Sequence, residues 1–174
     1  MEWPRQPRSF WVIDSDGHEP TFTIRELLST MLERAVSASQ ATGGAIALSA
    51  GKELVCWASL GRAPGVGTHF VPSFGFSGRC VKKGRILQCD DSEIDPRVDR
   101  VACRQLCARS MIAAPLSDRG KTFGILELLS SNTCAFDDND IRELSRVAES
   151  IVEVLAERRP PHKKQLLCGS LMSF

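Results

Sequence analysis

The chain has 174 residues, of which 43% are hydrophobic and 25% charged, and its formal net charge is +1. This suits one globular domain with short extensions, and the mixed charges exclude the basic stripe typical of nucleic-acid binding. There is no apolar run long enough to span a membrane and no signal peptide, so the seven cysteines indicate reduced thiols in the cytoplasm.

The first predicted elements are a helix and a hairpin. Thr23 and Glu26 form a capping-box sequence, and the apolar residues that follow recur at spacings of three and four. A Gly-Gly pair at 43–44 marks the predicted end of this helix. Two strands within residues 45–59 follow, joined at Gly51, which suits the first position of a tight hairpin turn.

The middle of the chain predicts short elements separated by loops. They are a strand at 69–71, a short helix from Ser77 to Gly84, a strand at 85–89, an acidic loop at 90–96 and a helix at 98–108.

The last part predicts a second hairpin and a long helix. Its strands lie at 110–116 and 122–130 with a turn at Gly120, and Asp137 is the expected helix cap. The prolines at 160–161 end the helix.

These elements divide the chain into three predicted parts. They are a leader at 1–20, one domain at 21–159 and a flexible C-terminal tail at 160–174. The basic cluster beside the tail is expected to be solvated; it comprises Arg158, Arg159, His162, Lys163 and Lys164. The hairpins predict an antiparallel sheet with the two long helices over one face.

Three segments carry a resemblance to a known family. The strand Ser110–Leu116, the strand Phe123–Leu128 and the helix start Ala135–Asp140 resemble the C-terminal half of the GAF family, with weaker support at Gly75–Gly78. The resemblance implies an α+β, GAF-like and PAS-related single domain with a six-stranded antiparallel sheet. Long N- and C-terminal helices would cover one face, and a pocket roofed by loops and short helices would lie on the other.

The function implied is that of a non-catalytic sensory domain, which binds an unidentified small molecule or mediates dimerisation in signal transduction. The alternative is a degenerate GAF domain that serves as a structural or protein-interaction module. The pattern for cyclic nucleotides and the Cys-His pair for bilins are missing, and we identify no cofactor or metal site. The pocket candidates are Phe74, Phe76, Cys89, Asp91, Arg97, Val101, Arg104, Ser110 and Glu127.

The cysteines leave an enzymatic alternative open. One GAF branch reduces free methionine-R-sulfoxide with thiolates, and the segment around Cys103 resembles its cysteine segment, with Cys80 and Cys89 as possible resolving thiols. Ser77 stands about where that branch has a cysteine, and Met111 where it has an acidic residue. Cys107 lies four residues after Cys103, so a helix would turn both thiols to one face.

The last helix offers a dimer face, as in the helical dimers of the family. Its apolar seam is Ile141, Leu144, Ala148, Ile151 and Leu155, with further valines at 147, 152 and 154. The expected partner is a second copy or a signalling protein, with no nucleic acid and no membrane.

Overall fold

Two hairpins form the centre of the sheet. Strand β1 (Gly43–Ala50) turns into β2 (Glu53–Gly61) at Gly51, whose φ of 67° favours glycine. Strand β5 (Ser110–Asp118) turns into β6 (Lys121–Ser130) through Arg119 and Gly120, both with positive φ. The structure is a computed structural model that describes residues 23–71 and 75–157. The predicted leader and tail lie outside these ranges.

The six strands lie in the order β3-β2-β1-β6-β5-β4, and every neighbouring pair is antiparallel. β3 (His69–Phe70) and β4 (Leu87–Cys89) are short edge strands. The two hairpins meet where β1 pairs with β6, and Gly124 of β6 lies opposite Leu48 there. A Cβ on Gly124 would lie 2.7 Å from the carbonyl oxygen of Ala47, so this close approach requires glycine.

Helix α1 (Ile24–Ser37) begins as predicted and ends earlier. Thr23 caps it, and the backbone nitrogen of Thr23 donates to Oε2 of Glu26 at 2.7 Å. The helix ends at Ser37, and the glycines at 43–44 begin β1 instead of stopping the helix. Their role is close packing, since a Cβ on Gly43 would lie 2.5 Å from the backbone nitrogen of Arg62.

Helix α4 (Asp138–Glu157) lies with α1 on one face of the sheet, as the sequence predicts. The Oδ1 of Asp137 accepts from the backbone nitrogens of Asn139 and Asp140. Four seam residues of α4 are at most 4% exposed and belong to the core beneath it; they are Leu144, Ala148, Ile151 and Leu155. They are not available to a partner chain, which corrects the expectation of a dimer face there, and Ile141 is partly buried against the same core.

The other face of the sheet carries α2 (Gly75–Lys83) and α3 (Arg100–Gln105). Helix α2 ends at a glycine in the left-handed region, Gly84, as predicted, but Ser77 lies within the helix and does not cap it. Helix α3 is shorter than predicted because Asp99 caps its start and Cys107 takes a φ of 54° just beyond its end.

Among the residues described, no helix has both the length and the apolar character needed to cross a membrane.

Candidate ligand site on the roof face of the sheet

The roof segment, residues 75–108, covers one face of the sheet, which we call the roof face. Its buried side chains form one cluster with those of the sheet; it includes Leu54, Phe76, Cys80, Cys89, Cys103, Met111, Ala113, Ile125 and Leu129. Phe76 is 4% exposed and lies beneath the guanidinium of Arg97, 5.5 Å from the ring centroid. The predicted aromatic residue of the site is therefore part of the core packing.

Glu127 is the polar residue within this apolar layer. It lies on β6 between Ile125 and Leu129, and its neighbours across the strands are Ala45 and Ala113. Alanine methyl groups cannot hydrogen-bond, so they leave the carboxyl group without a lateral partner. The residue is 8% exposed, and its Oε1 is buried without a hydrogen-bond partner among the described residues.

Burial raises the pKa of Glu127 above its ordinary value, because the charged form loses its hydration. The hydroxyl of Ser77, on the overlying α2, opposes this by hydrogen bonding to the carboxylate. Burial raises the pKa values of Cys56, Cys80 and Cys103, and the negative charge of the Glu127 carboxylate raises them further. A cation or a hydrogen-bond donor placed at Oε1 would relieve this cost.

Ion pairs hold the roof segment together. Arg97 donates from Nε to Oδ1 of Asp95 at 2.9 Å and from Nη2 to the carbonyl oxygen of Gln88 at 2.6 Å. Both carboxylate oxygens of Asp91 accept hydrogen bonds from Nη2 of Arg109, each at 3.1 Å. Arg97 lowers the pKa of Asp95 to about 2. These carboxylates and guanidinium groups are therefore already paired within the roof segment and its neighbour Arg109.

Several pocket candidates face away from the site. Val101 is 63% exposed, and Arg104 pairs with Glu93 at 2.9 Å on the outer side of the roof segment. Ser110 is buried, but it lies on the helical face, and its hydroxyl donates to the carbonyl oxygen of Asn132 at 2.7 Å. These three predictions are corrected. Phe74 lies outside the described residues, and Cys89 is buried in the roof-face cluster.

The thiols of the enzymatic alternative are buried and have raised pKa values. Burial raises the pKa of Cys80 and of Cys89 to about 12, and it also raises that of Cys103. Cys80 donates to the carbonyl oxygens of Arg85 and Ala113 at 3.3 and 3.4 Å. A nucleophilic thiol requires the opposite environment, one that is electropositive and partly exposed.

Cys103 and Cys107 do not share a helix face. Cys103 is buried on α3, whereas Cys107 lies beyond the helix end and is exposed. Its Sγ accepts from Nη1 of Arg62 at 2.7 Å. The expectation of one shared face fails because α3 ends at Gln105.

Two cavities lie outside the roof-face cluster, and Glu127 lines neither of them. One, of about 330 Å³, is formed by the roof loop between Gln88 and Arg97. The other, of about 400 Å³, lies on the helical face between α4, strand β5 and residues 84–86, which precede β4. Within residues 23–71 and 75–157, no three His, Cys, Asp or Glu side chains are grouped to hold a metal ion.

Two contributors to the site were missed from the sequence. The sequence pattern indicates Ser77 as a helix cap and as the residue at the position of a reductase cysteine, and Asp95 as part of an acidic loop. In the structure, Asp95 positions Arg97 over Phe76. The spacing of Asp95 and Arg97 was the available signal, since an Asp side chain readily bonds the backbone two residues on, as it does here at 2.8 Å.

The model of the GAF domain family matches residues 23–156. No protein with a curated function matches the chain. Among solved structures, the chain is similar to the type II free methionine-R-sulfoxide reductase from Thermoplasma acidophilum, with a TM-score of 0.69 and 18% identity over 77% of this chain and 93% of that one.

Two other solved structures show the same fold. The free methionine-R-sulfoxide reductase from Neisseria meningitidis, in complex with its substrate, has a TM-score of 0.66 and 22% identity over 75% of this chain and 77% of that one. The GAF domain of an Acinetobacter phosphoenolpyruvate-protein phosphotransferase has a TM-score of 0.68 and 19% identity over 78% and 83%. At these identities the similarity shows the fold alone.

Proposed function

The chain belongs to the GAF family, and from this we propose that it works as a non-catalytic sensory domain. It binds a small molecule between the sheet and the roof segment, and the carboxyl group of Glu127 is the polar anchor. The observation that most directly supports this proposal is that Oε1 of Glu127 is buried with no hydrogen-bond partner among the described residues. The ligand class that suits this group is a small compound with an amine or another hydrogen-bond donor.

The way the fold is layered suggests how occupancy is transmitted. The strand that carries Glu127 also carries Leu126 and Leu128, which pack into the core beneath α1 and α4. Binding on the roof face therefore reaches the helices through one strand. A ligand with unequal affinity for two helix arrangements shifts their populations. Leu27 and Val154, which are half-buried and belong to neither core cluster, are the contacts we propose for a second copy or a signalling partner.

A ligand screen with a matched variant tests the proposal. Purified full-length chain is heated with a panel of primary amines, amino acids and neutral metabolites, and the shift in unfolding temperature is recorded. We expect amine-bearing compounds to stabilise the wild type and the Glu33→Gln control but not Glu127→Gln, since Glu33 is exposed on α1. Stabilisation that survives in Glu127→Gln would refute the anchor, and no stabilisation by any compound would refute ligand sensing.

One observation favours the degenerate, structural alternative. Phe76 fills space beneath the roof segment and is 4% exposed. If that packing is the final state, Phe76→Ala leaves an apolar void and destabilises the chain without creating ligand affinity. If Phe76 stands where a ligand enters, the same variant gains affinity for compounds in the screen.

The similarity to solved free methionine-R-sulfoxide reductases motivates a check of the enzymatic alternative. We expect no reduction of free methionine-R-sulfoxide by the chain, because the thiols of Cys80, Cys89 and Cys103 are buried and have raised pKa values. Turnover that disappears in Cys103→Ser would reverse this assignment.

A further inference from the structure

A groove on the helical face lies apart from the proposed ligand site. It has a volume of about 400 Å³ between α4, strand β5 and residues 84–86, which precede β4. Ile86, Ala114, Pro115 and Val152 supply an apolar floor. The α4 residues along it follow the spacing of one helix stripe, from Ser145 through Ala148, Glu149 and Val152 to Glu153. The groove thus runs along about two and a half turns of α4, from Ser145 to Glu153.

The rim of the groove carries an uncompensated pair of like charges. Glu149 and Glu153 are exposed and lie four residues apart on α4, a spacing at which like charges repel. Both lie in the C-terminal half of α4, towards its negative pole, and the last described turn of the helix holds no basic residue. Within the described residues, the polar contact of Glu149 is the hydroxyl of Ser145 at 3.2 Å, and neither glutamate forms an ion pair. This arrangement favours a cationic occupant.

The chain supplies such an occupant directly after α4. Residues 158–167 contain five basic side chains followed by Leu166 and Leu167. We propose that this segment folds back along α4, with Lys163 and Lys164 at the glutamate rim and the two leucines on the apolar floor. The basic residues after α4 are then a docking segment and not simply a solvated extension.

The lengths permit this arrangement. Glu149 lies eight residues before Glu157, a distance of about 12 Å along a helix. Lys163 is six positions after Glu157, and an extended chain of that length spans up to about 20 Å. Pro160 and Pro161 disfavour continuation of the helix, so a reversal is expected at that point.

Hydrogen exchange of the full chain tests the proposal. In the wild type, amides of residues 163–170 should exchange at least about tenfold more slowly than in Glu149→Gln/Glu153→Gln, as expected for a docked segment that must open before exchange. The control Glu33→Gln, on α1, should match the wild type. Protection should fall as salt is added, because exposed charges are screened. Exchange at the unprotected rate in the wild type, or equal protection in the double variant, would overturn the proposal.

Carbodiimide crosslinking identifies which chain supplies the segment. A mixture of ¹⁵N-labelled and unlabelled protein is crosslinked. Peptides that join Lys163 or Lys164 to Glu149 or Glu153 are then identified by mass spectrometry. Crosslinks found solely within each isotope class, with no mixed-isotope peptides, support docking of the chain's own segment. In an equal mixture, mixed-isotope peptides that make up about half of the crosslinks would replace it with exchange between two copies, and the absence of these crosslinks would contradict docking. Ligand binding at Glu127 does not affect either outcome.

Discussion

Replacing Glu127 by glutamine tests the electrostatics of the candidate site most directly. Burial raises the pKa of this carboxyl group, so the folded chain holds a proton that the unfolded chain releases. Below the ordinary pKa of 4.5 both states are protonated and Glu127 makes no pH-dependent contribution. As the pH rises above 4.5, release of that proton favours unfolding, and the loss of stability is complete once the pH passes the raised pKa of the folded state.

The size of the effect follows from proton linkage. One proton held only by the folded state changes the free energy of unfolding by about 1.4 kcal/mol for each pH unit within this window. For a domain of this size, 1 kcal/mol shifts the unfolding temperature by roughly 2–4 °C, so the slope is about 3–6 °C per pH unit. The nearest buried thiols do not interfere, because the pKa values of Cys56 and Cys80 are raised to about 11 and 12.

The assay is thermal unfolding of the wild type and Glu127→Gln between pH 5 and 8, without added ligand. The difference between the two curves cancels all other titrating groups and any constant cost of burying the amide. We expect the stability of the variant relative to the wild type to rise with pH from about 4.5 upward, at the slope given above. Two parallel curves would show that Glu127 is not a buried carboxyl group with a raised pKa, and the proposed anchor would be lost with it.

Three other predictions concern the thiols, the sheet and the roof segment. In native protein, a thiol reagent followed by peptide mass mapping should label exposed Cys107 rapidly and buried Cys103 only at the rate of structural opening. Gly124→Ala should lower the free energy of unfolding by about 1–3 kcal/mol in denaturant titrations, because its Cβ would meet the Ala47 carbonyl. Gly65→Ala, with open space around the new Cβ, should change it by less than about 0.5 kcal/mol. Asp95→Asn should cost about 1 kcal/mol at pH 7, and because Arg97 depresses the pKa of Asp95 from 3.8 to about 2, this difference should disappear as the pH falls through that range.

The fold could be predicted wherever local chemistry and long-range packing agree. The capping box at Thr23 and the cap at Asp137 fix helix starts by bonds within four residues, and both appear as predicted. The prediction that the glycines at 43–44 end a helix is wrong, because a glycine pair also permits two backbones to pack closely. Here the backbone of Arg62, which is distant in the sequence, approaches Gly43. Helix α3 was overextended because its end depends on the positive φ of Cys107, a conformation that few residues other than glycine adopt.

The site was harder to predict than the fold, because its geometry depends on the face of the sheet or helix on which each side chain lies. Strand periodicity places Glu127 on the roof face, but its lack of a partner follows from Ala45 and Ala113 on neighbouring strands. The apolar seam of α4 was assigned to a partner, although the same spacing describes a helix that packs on its own sheet. The spacing of apolar residues identifies the apolar face of a helix, but it does not identify the surface that packs against that face.

The central position of β1 beside β6 has a consequence for how the chain reaches this state. Ala45 and Glu127 lie directly opposite each other on neighbouring strands, although they are 82 positions apart in the sequence. During synthesis, the hairpin of β1 and β2 is complete long before β6 leaves the ribosome. The edge of β1 that pairs with β6 therefore has no partner during that time. Pairing of such distant strands is slow, and an open edge invites contact with other chains. Any truncation before residue 130 therefore yields an aggregation-prone fragment instead of a smaller domain.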